Sequence, residues 1–242
     1  MKAEKIKYPM GALTAEGALV YDDTLSGKRP AVLMAPNWMG MTDAAIERAK
    51  LLAGDRYVVF VADMYGAGTR PADFPGAAAL ANPLRENAIE QRGRIRAAYD
   101  AMIAETSKRN LSDGRRAAIG FCFGGGNVLE LARDGAEIAA AVSIHGDLKT
   151  ALAARKGAVK AHLLVAHGAP DPVTPKEHRD LFEAEMDTAG AKWQTLVFSG
   201  VLHAYTDQGS DVPGVAGWDE PATRQTYALT HQFIADAFAG KL

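Results

Sequence analysis

Apolar residues along this chain fall into short, nearly continuous runs, separated by longer stretches in which they recur every three or four positions. The runs at 31–35, 57–62, 116–120, 138–144, 162–166 and 193–198 are too short for helices and too uniformly apolar for half-exposed strands. They predict strands covered on both faces. Two further short strands, 6–10 and 17–21, are predicted near the start, with a turn between them. Between the runs, helical spacing predicts one helix from Thr42 or Asp43 to about Ala53. A second spans 84–107, with Leu84, Ala88, Ile95, Tyr99, Met102 and Ile103 on its buried face, and a third spans 126–133. The stretch 69–82 carries Pro71 and Pro75 and is expected to be irregular with a short helix. Thr174-Pro175-Lys176-Glu177 predicts a helix start, with Thr174 as cap and Pro175 in the first turn. A last helix, 221–239, buries Leu229, Phe233 and Phe238. Strands alternating with helices give an α/β class: a mainly parallel central sheet with helices on both faces, as one domain over 1–242. In such sheets a ligand sits beyond the carboxyl ends of the strands, so chemistry is sought there.

Composition narrows the classes of function. The chain is 48% hydrophobic and 23% charged, with a formal net charge of −2 and no polybasic run. Nucleic acid and anionic membranes are therefore poor partners, and a small molecule is the expected one. No apolar stretch approaches a membrane span, and Met1-Lys2-Ala3-Glu4-Lys5 is not followed by a signal-like apolar core. A cytoplasmic location follows as the expectation. The single cysteine rules out an internal disulfide and any cysteine-based zinc cage. The histidines show no metal-ligand spacing, and no phosphate-binding glycine loop is present, so neither metal nor cofactor is expected. His162, His167, His178 and His231 are given no functional role, the last two facing solvent, while His145 ends a strand and could line the cleft.

That single cysteine sits in Gly120-Phe121-Cys122-Phe123-Gly124-Gly125, between an apolar strand and a helix. Strand, tight glycine turn and helix make the context of a nucleophile elbow, which lifts the middle side chain above the sheet on a strained turn. The helix start behind it favours a thiolate. On the other side of the scale, a free cysteine is one of the residue types most often simply buried. Two later strand ends tip the balance. Asp171 follows the 162–166 strand between Pro170 and Pro172, a rigid place for a carboxylate that orients an imidazole. His203 follows the last long strand, on a loop that Gly200 allows to turn. Nucleophile, acid, then histidine is the chain order of α/β-hydrolase triads. The roles predicted are attack by Cys122, proton transfer by His203, and orientation of His203 by Asp171. The oxyanion would take the backbone N–H of Phe123 and a second N–H near Trp38.

The elbow, His167-Gly168-x-x-Asp171-Pro172-Val173, Gly200-x-x-His203 and Asp63-Met64-Tyr65 together resemble the dienelactone hydrolase family of α/β-hydrolases, over most of the chain. The resemblance implies hydrolysis of a lactone or small ester by a monomer without metal or cofactor. The chain also departs from the family pattern. Where members carry a glutamate that helps activate the thiol, it has Pro36-Asn37. Where dienelactone-specific members place substrate-gripping arginines, it has Ala67 and Asp207. The departures point away from dienelactone and toward a neutral ester or lactone with an apolar part. Asn37, Met39, Tyr65, Arg70, Leu202 and Tyr205 are the expected pocket, with Trp38, Met41 and Phe123 as further walls. The competing reading is a weak or inactive hydrolase-fold protein that binds a small ligand or senses oxidation through Cys122.

Overall fold

The computed structural model describes residues 1–242 and contains one large sheet with helices on both faces. Strands β1 (Lys2–Met10) and β2 (Leu13–Tyr21) form an antiparallel hairpin, longer than the sequence suggests. It is followed by β3 (Arg29–Ala35), α1 (Asp43–Ala53), β4 (Val58–Val61), α2 (Phe74–Glu86), α3 (Ala88–Lys108), β5 (Ser112–Phe121) and α4 (Phe123–Arg133). The chain continues through β6 (Ala140–Ile144), β7 (His162–Gly168), α5 (Lys176–Ala189), β8 (Lys192–Phe198) and α6 (Glu220–Phe238), with the short pair β9 (Asp211–Val212) and β10 (Ala216–Gly217) before α6. The sheet order is β1-β2-β4-β3-β5-β6-β7-β8, parallel from β4 to β8 and antiparallel at the β1–β2 edge. None of the helices is long and apolar enough to cross a membrane.

Alternation along the central strands divides the core into two. On β3, Ala31, Leu33 and Ala35 face α2, α3, α4 and α5, while Val32 and Met34 face α1 and α6. On β5, Ala118 joins the first side and Ala117, Ile119 and Phe121 the second. All of these are 0–1% exposed, which is why the strands read as unbroken apolar runs. Fully burying a Leu or Val side chain contributes roughly 1.5–3 kcal/mol relative to leaving it exposed, so this two-sided covering fixes the register under the elbow.

Other predicted boundaries also differ from the structure. The helix expected over 84–107 is two helices, broken at Asn87, whose side chain caps α3 by accepting from Glu90 N. The stretch 69–82, expected to be irregular with a short helix, holds most of α2, which runs on to Glu86, is capped by Asp73 accepting from Gly76 N, and carries Pro83 near its end. Helix α5 begins at Lys176, and Thr174 does not cap it. Its Oγ1 donates instead to Gly146 O, 3.3 Å away, drawing the β7–α5 turn against the end of β6.

At the elbow, α4 starts at Phe123, directly after Cys122 and three residues earlier than the periodicity indicates. Cys122 has φ 53° and ψ −122°, in the left-handed half of backbone space that costs non-glycine residues of order 1–3 kcal/mol. The turn closes only because its neighbours lack side chains. A Cβ on Gly120 would lie 1.9 Å from Gly124 O, and one on Gly124 would lie 2.1 Å from Ala35 O. Both obstacles are backbone. Gly124→Ala is therefore expected to destabilise the fold by at least about 2 kcal/mol, lowering Tm by on the order of 4–8 °C in a thermal melt. A variant melting within a degree of wild type would mean that the elbow has more room than the geometry allows.

Candidate active site

The ends of β5, β7 and β8 bring together the three residues singled out by chain order. His203 Nε2 lies 3.2 Å from Cys122 Sγ, and His203 Nδ1–H donates to Asp171 Oδ2 at 2.8 Å. Cys122, Asp171 and His203 are all buried, with 7%, 1% and 6% exposure. Asp171 is held by its own turn, Oδ1 accepting from Val173 N and Thr174 N at 2.8 and 3.1 Å. His203 is held through its backbone, its N–H donating to Val215 O and its carbonyl accepting from Gly217 N across β10.

Asp171 has a second histidine that sequence reasoning set aside. His167 is fully buried, with Nε2 2.9 Å from Thr174 O and 3.2 Å from Asp171 Oδ2. Both neighbours are acceptors, so Nε2 carries the proton. The bond to Thr174 O is the directed one, and Asp171 Oδ2 feels the same N–H from the side. The signal was legible: His167 continues the buried alternation of β7, and a polar side chain there needs a partner. His167→Phe keeps the ring and removes this N–H. It leaves Thr174 O unsatisfied and is expected to cost about 1–3 kcal/mol in a denaturant melt. A melt unchanged from wild type would show the contact to be incidental.

The charges follow from these contacts. Burial pushes the Asp171 carboxyl up, but the N–H groups of His167 and His203 outweigh it and hold it well below the usual carboxylate range. Burial likewise pulls the His203 imidazolium down. The bonds to Asp171 and Cys122 outweigh it and raise the group to about 10. His203 is thus protonated at neutral pH, which suits an imidazolium facing a thiolate. His145, expected to line the cleft, is instead fully buried behind His203, with ring centroids 5.3 Å apart. Burial holds its imidazolium down to about 3, so it is neutral, and its Nε2 pairs with Thr206 Oγ1 at 2.7 Å.

The two backbone N–H groups expected to receive an oxyanion are those of Phe123 and Trp38. That of Phe123 belongs to the first residue of α4 and has no acceptor within the helix. In the β3–α1 loop, Met39 N donates to Asn37 Oδ1 and Gly40 N donates to Asn37 O, while the intervening Trp38 N–H takes no partner in that turn. Trp38 O accepts from Tyr65 Oη at 2.8 Å, and the Tyr65 ring stacks on Phe123 with centroids 6.0 Å apart. Trp38 itself stacks on Phe74, which is 56% exposed. Asp63 shapes the loop that delivers Tyr65, its Oδ1 accepting from Tyr65 N and Gly66 N.

The rest of the expected pocket needs correction. Tyr205 is fully buried and turned into the α6 side of the core, its hydroxyl paired with Thr226 Oγ1 at 2.9 Å. Arg70 is spent on the carbonyls of Met41, Gly66 and Thr69 and lies 3.6 Å from buried Asp63, so it cannot stand in for a substrate-gripping arginine. Asn37 is engaged elsewhere, its Nδ2–H donating to Asp207 Oδ2 at 3.1 Å. It lines a cavity of about 670 Å³ between α1 and α6, with Arg48, Phe121, Asp207, Trp218 and Tyr227. Met39 and Leu202 are half-buried on the loops that carry Trp38 and His203. His178 and His231 are half-buried too, and His231 stacks on Tyr57 rather than facing solvent. No group of three or more His, Cys, Asp or Glu side chains is placed to hold a metal ion.

Arg85 is the residue that sequence reasoning missed. It closes α2, with its guanidinium 5.2 Å from the Phe123 ring centroid and Nε donating to Asp147 Oδ2 at 2.7 Å. Burial opposes its charge, and the Asp147 carboxylate outweighs the burial and keeps the guanidinium pKa raised. Arg85 and Asp147 line a second cleft of about 590 Å³ with Gly126, Val173 and His178, beside the first turn of α4. An arginine in the last turn of a helix is expected there on dipole grounds alone, so nothing in the sequence marked it.

Known structures share this architecture. A promiscuous phosphotriesterase similar to dienelactone hydrolases, recovered from metagenomic libraries, is 31% identical over 98% of both chains, with a TM-score of 0.89. A structure named m3DLH is 32% identical over 98% of both, with a TM-score of 0.90. A dienelactone hydrolase from Anabaena variabilis shares the fold at 17% identity, with 97% of both chains covered and a TM-score of 0.70. No curated protein matches the chain in sequence. The model of the dienelactone hydrolase family matches residues 16–238. With its mainly parallel sheet and that match across nearly its whole length, the chain belongs to the dienelactone hydrolase family of α/β-hydrolases.

Proposed function

We propose that this hydrolase cleaves small carboxylic esters or lactones through a Cys122–His203–Asp171 triad. The observation that carries the reading is His203 itself, 3.2 Å from Cys122 Sγ on one side and 2.8 Å from Asp171 Oδ2 on the other. The thiolate attacks the acyl carbon, and the carbonyl oxygen takes the negative charge against the N–H groups of Phe123 and Trp38. Collapse expels the alkoxide, which takes the proton of the His203 imidazolium, and leaves a thioester on Cys122. In a lactone the alkoxide stays tethered to the acyl group. Acylation removes the thiolate charge that helped hold the proton on His203, so the neutral imidazole becomes the base for the second half. Water gives a proton to His203 Nε2 and its oxygen to the thioester. The acid leaves, and the thiolate–imidazolium pair returns. Asp171 keeps the Nδ1–H tautomer throughout.

The aromatic surroundings favour a substrate with an apolar part. Trp38 stacks on Phe74 at the start of α2, and Tyr65 stacks on Phe123 at the start of α4, next to Cys122. Asn37 is bonded to Asp207 and offers the thiol no carboxylate, so activation rests on His203 and the helix start. Because one relative is named a promiscuous phosphotriesterase, a phosphotriester is a second electrophile worth assaying on the same thiolate. The test is release of nitrophenol from short acyl esters and opening of simple lactones by the purified protein. The reading predicts turnover that iodoacetamide abolishes. Turnover that survives complete alkylation of Cys122 would contradict it.

A further inference from the structure

The side chain of Asp207 joins three elements that meet behind the active site. Its Oδ1 accepts from Arg48 Nη2 of α1 at 2.7 Å, and its Oδ2 accepts from Asn37 Nδ2 of the β3–α1 loop at 3.1 Å. Its own backbone belongs to the loop that carries His203, with Asp207 N donating to Ala204 O. Arg48 is itself fixed, its guanidinium 4.4 Å from the Phe121 ring centroid and Nη2 also donating to Thr206 O at 3.3 Å. The negative charge of Asp207 is therefore matched, and it faces Arg48 and Asn37 rather than a substrate.

Asn37 uses both ends of its amide. Nδ2 is held by Asp207, and Oδ1 accepts the N–H of Met39 at 3.0 Å. The amide thus straddles the Trp38 peptide, whose carbonyl is pinned from the other side by Tyr65 Oη. A flexible loop would present the Trp38 N–H in many orientations, whereas a loop tied at Asn37 and at Trp38 O presents one. We infer that Asp207 is a positioning residue which, anchored by Arg48, orients Asn37 and through it the Trp38 N–H that receives the oxyanion. This rests on the hydrolytic reading above and assigns to Asn37 the work of a strut, not of a thiol activator.

Exchanging the two side chains tests the inference. In Asn37→Asp two carboxylates oppose one another, and in Asp207→Asn an amide N–H must face either Asn37 or Arg48 with no acceptor. The double variant, Asn37→Asp with Asp207→Asn, restores the pair in reverse. The amide on the His203 loop then donates to the carboxylate on the β3–α1 loop, and Arg48 still donates to a side-chain oxygen. Each single variant is expected to lose about tenfold or more in kcat on a nitrophenyl ester, less than the ~10²–10³ cost of deleting an oxyanion donor outright. KM and the rate of Cys122 alkylation by iodoacetamide should stay within about threefold, since the triad is untouched. The double variant should recover to within about threefold of wild-type kcat, the sign of direct coupling. Single variants with wild-type kcat, a double variant no better than the worse single, or alkylation falling in parallel with kcat would each overturn the inference. So would a gain in activity in Asn37→Asp, which would place that side chain at the thiol. Wild-type protein without turnover would instead remove the hydrolytic reading, and this inference with it. A thermal melt of each variant separates loss of fold from loss of positioning, and the double variant keeps the test decisive if one single variant unfolds.

Discussion

Cys122→Ala is expected to lower ester hydrolysis by at least about 10³-fold while the protein folds and melts much like wild type. The size follows from what is removed. Without Sγ there is no acyl acceptor, and the Phe123 and Trp38 N–H groups are left to assist only a slow attack by water. Stability should change little, because Cys122 is small, lies at the mouth of the site and carries a strained φ of 53° that alanine shares. Cys122→Ser should retain measurable but reduced activity. The hydroxyl can use the same histidine, yet it is a weaker nucleophile than the thiolate that the proposed mechanism uses. Wild-type rates in Cys122→Ala, measured as nitrophenol release at saturating ester, would move the nucleophile elsewhere.

Asp171→Asn is expected to lower kcat by roughly 10³–10⁴-fold, because the amide can turn its N–H toward His203 and select the wrong tautomer. It should also move the pH profile. In wild type, burial opposes the His203 imidazolium, but its bonds to Asp171 and Cys122 raise it to about 10. The protonated form is the one required to protonate the departing alkoxide, so acylation should hold through the neutral range and fall as pH rises through about 10. Removing the Asp171 carboxylate removes one of the raising influences, so the alkaline limb should move to lower pH. A kcat/KM profile in which both proteins share the same alkaline limb would show that Asp171 does not set the protonation of His203.

Much of this site was readable from the chain because a parallel sheet places chemistry at strand ends, and apolar runs mark those ends plainly. Cys122, Asp171 and His203 each follow such a run, and they meet within hydrogen-bond distance. The elbow strain was legible too, since glycines flank the one position where a side chain must rise. Other features were hidden by distance along the chain. Asn37 and Asp207 are 170 residues apart, and only the fold makes them partners. Both stood out as departures from the family pattern, yet nothing local says that the two departures are one contact. Loop aromatics were ambiguous for another reason. Tyr65 and Tyr205 look equally suited to a pocket, and the backbone path sends one to Phe123 and the other into the α6 core. The break at Asn87 was an overlooked signal. Asn87 and Glu90 have the spacing of a helix cap, but the apolar positions on either side continue the helical period across it.

The central claim is that the acyl group passes through Cys122, and rapid quenching tests it most directly. Wild-type protein mixed with excess nitrophenyl acetate, quenched in acid within the first turnovers and digested, should yield the peptide containing Cys122 with one acetyl group attached. The label should disappear with hydroxylamine and be absent from His203→Ala. Turnover accompanied by no acylated Cys122, or an acetyl group found on another residue at the same rate, would contradict the account.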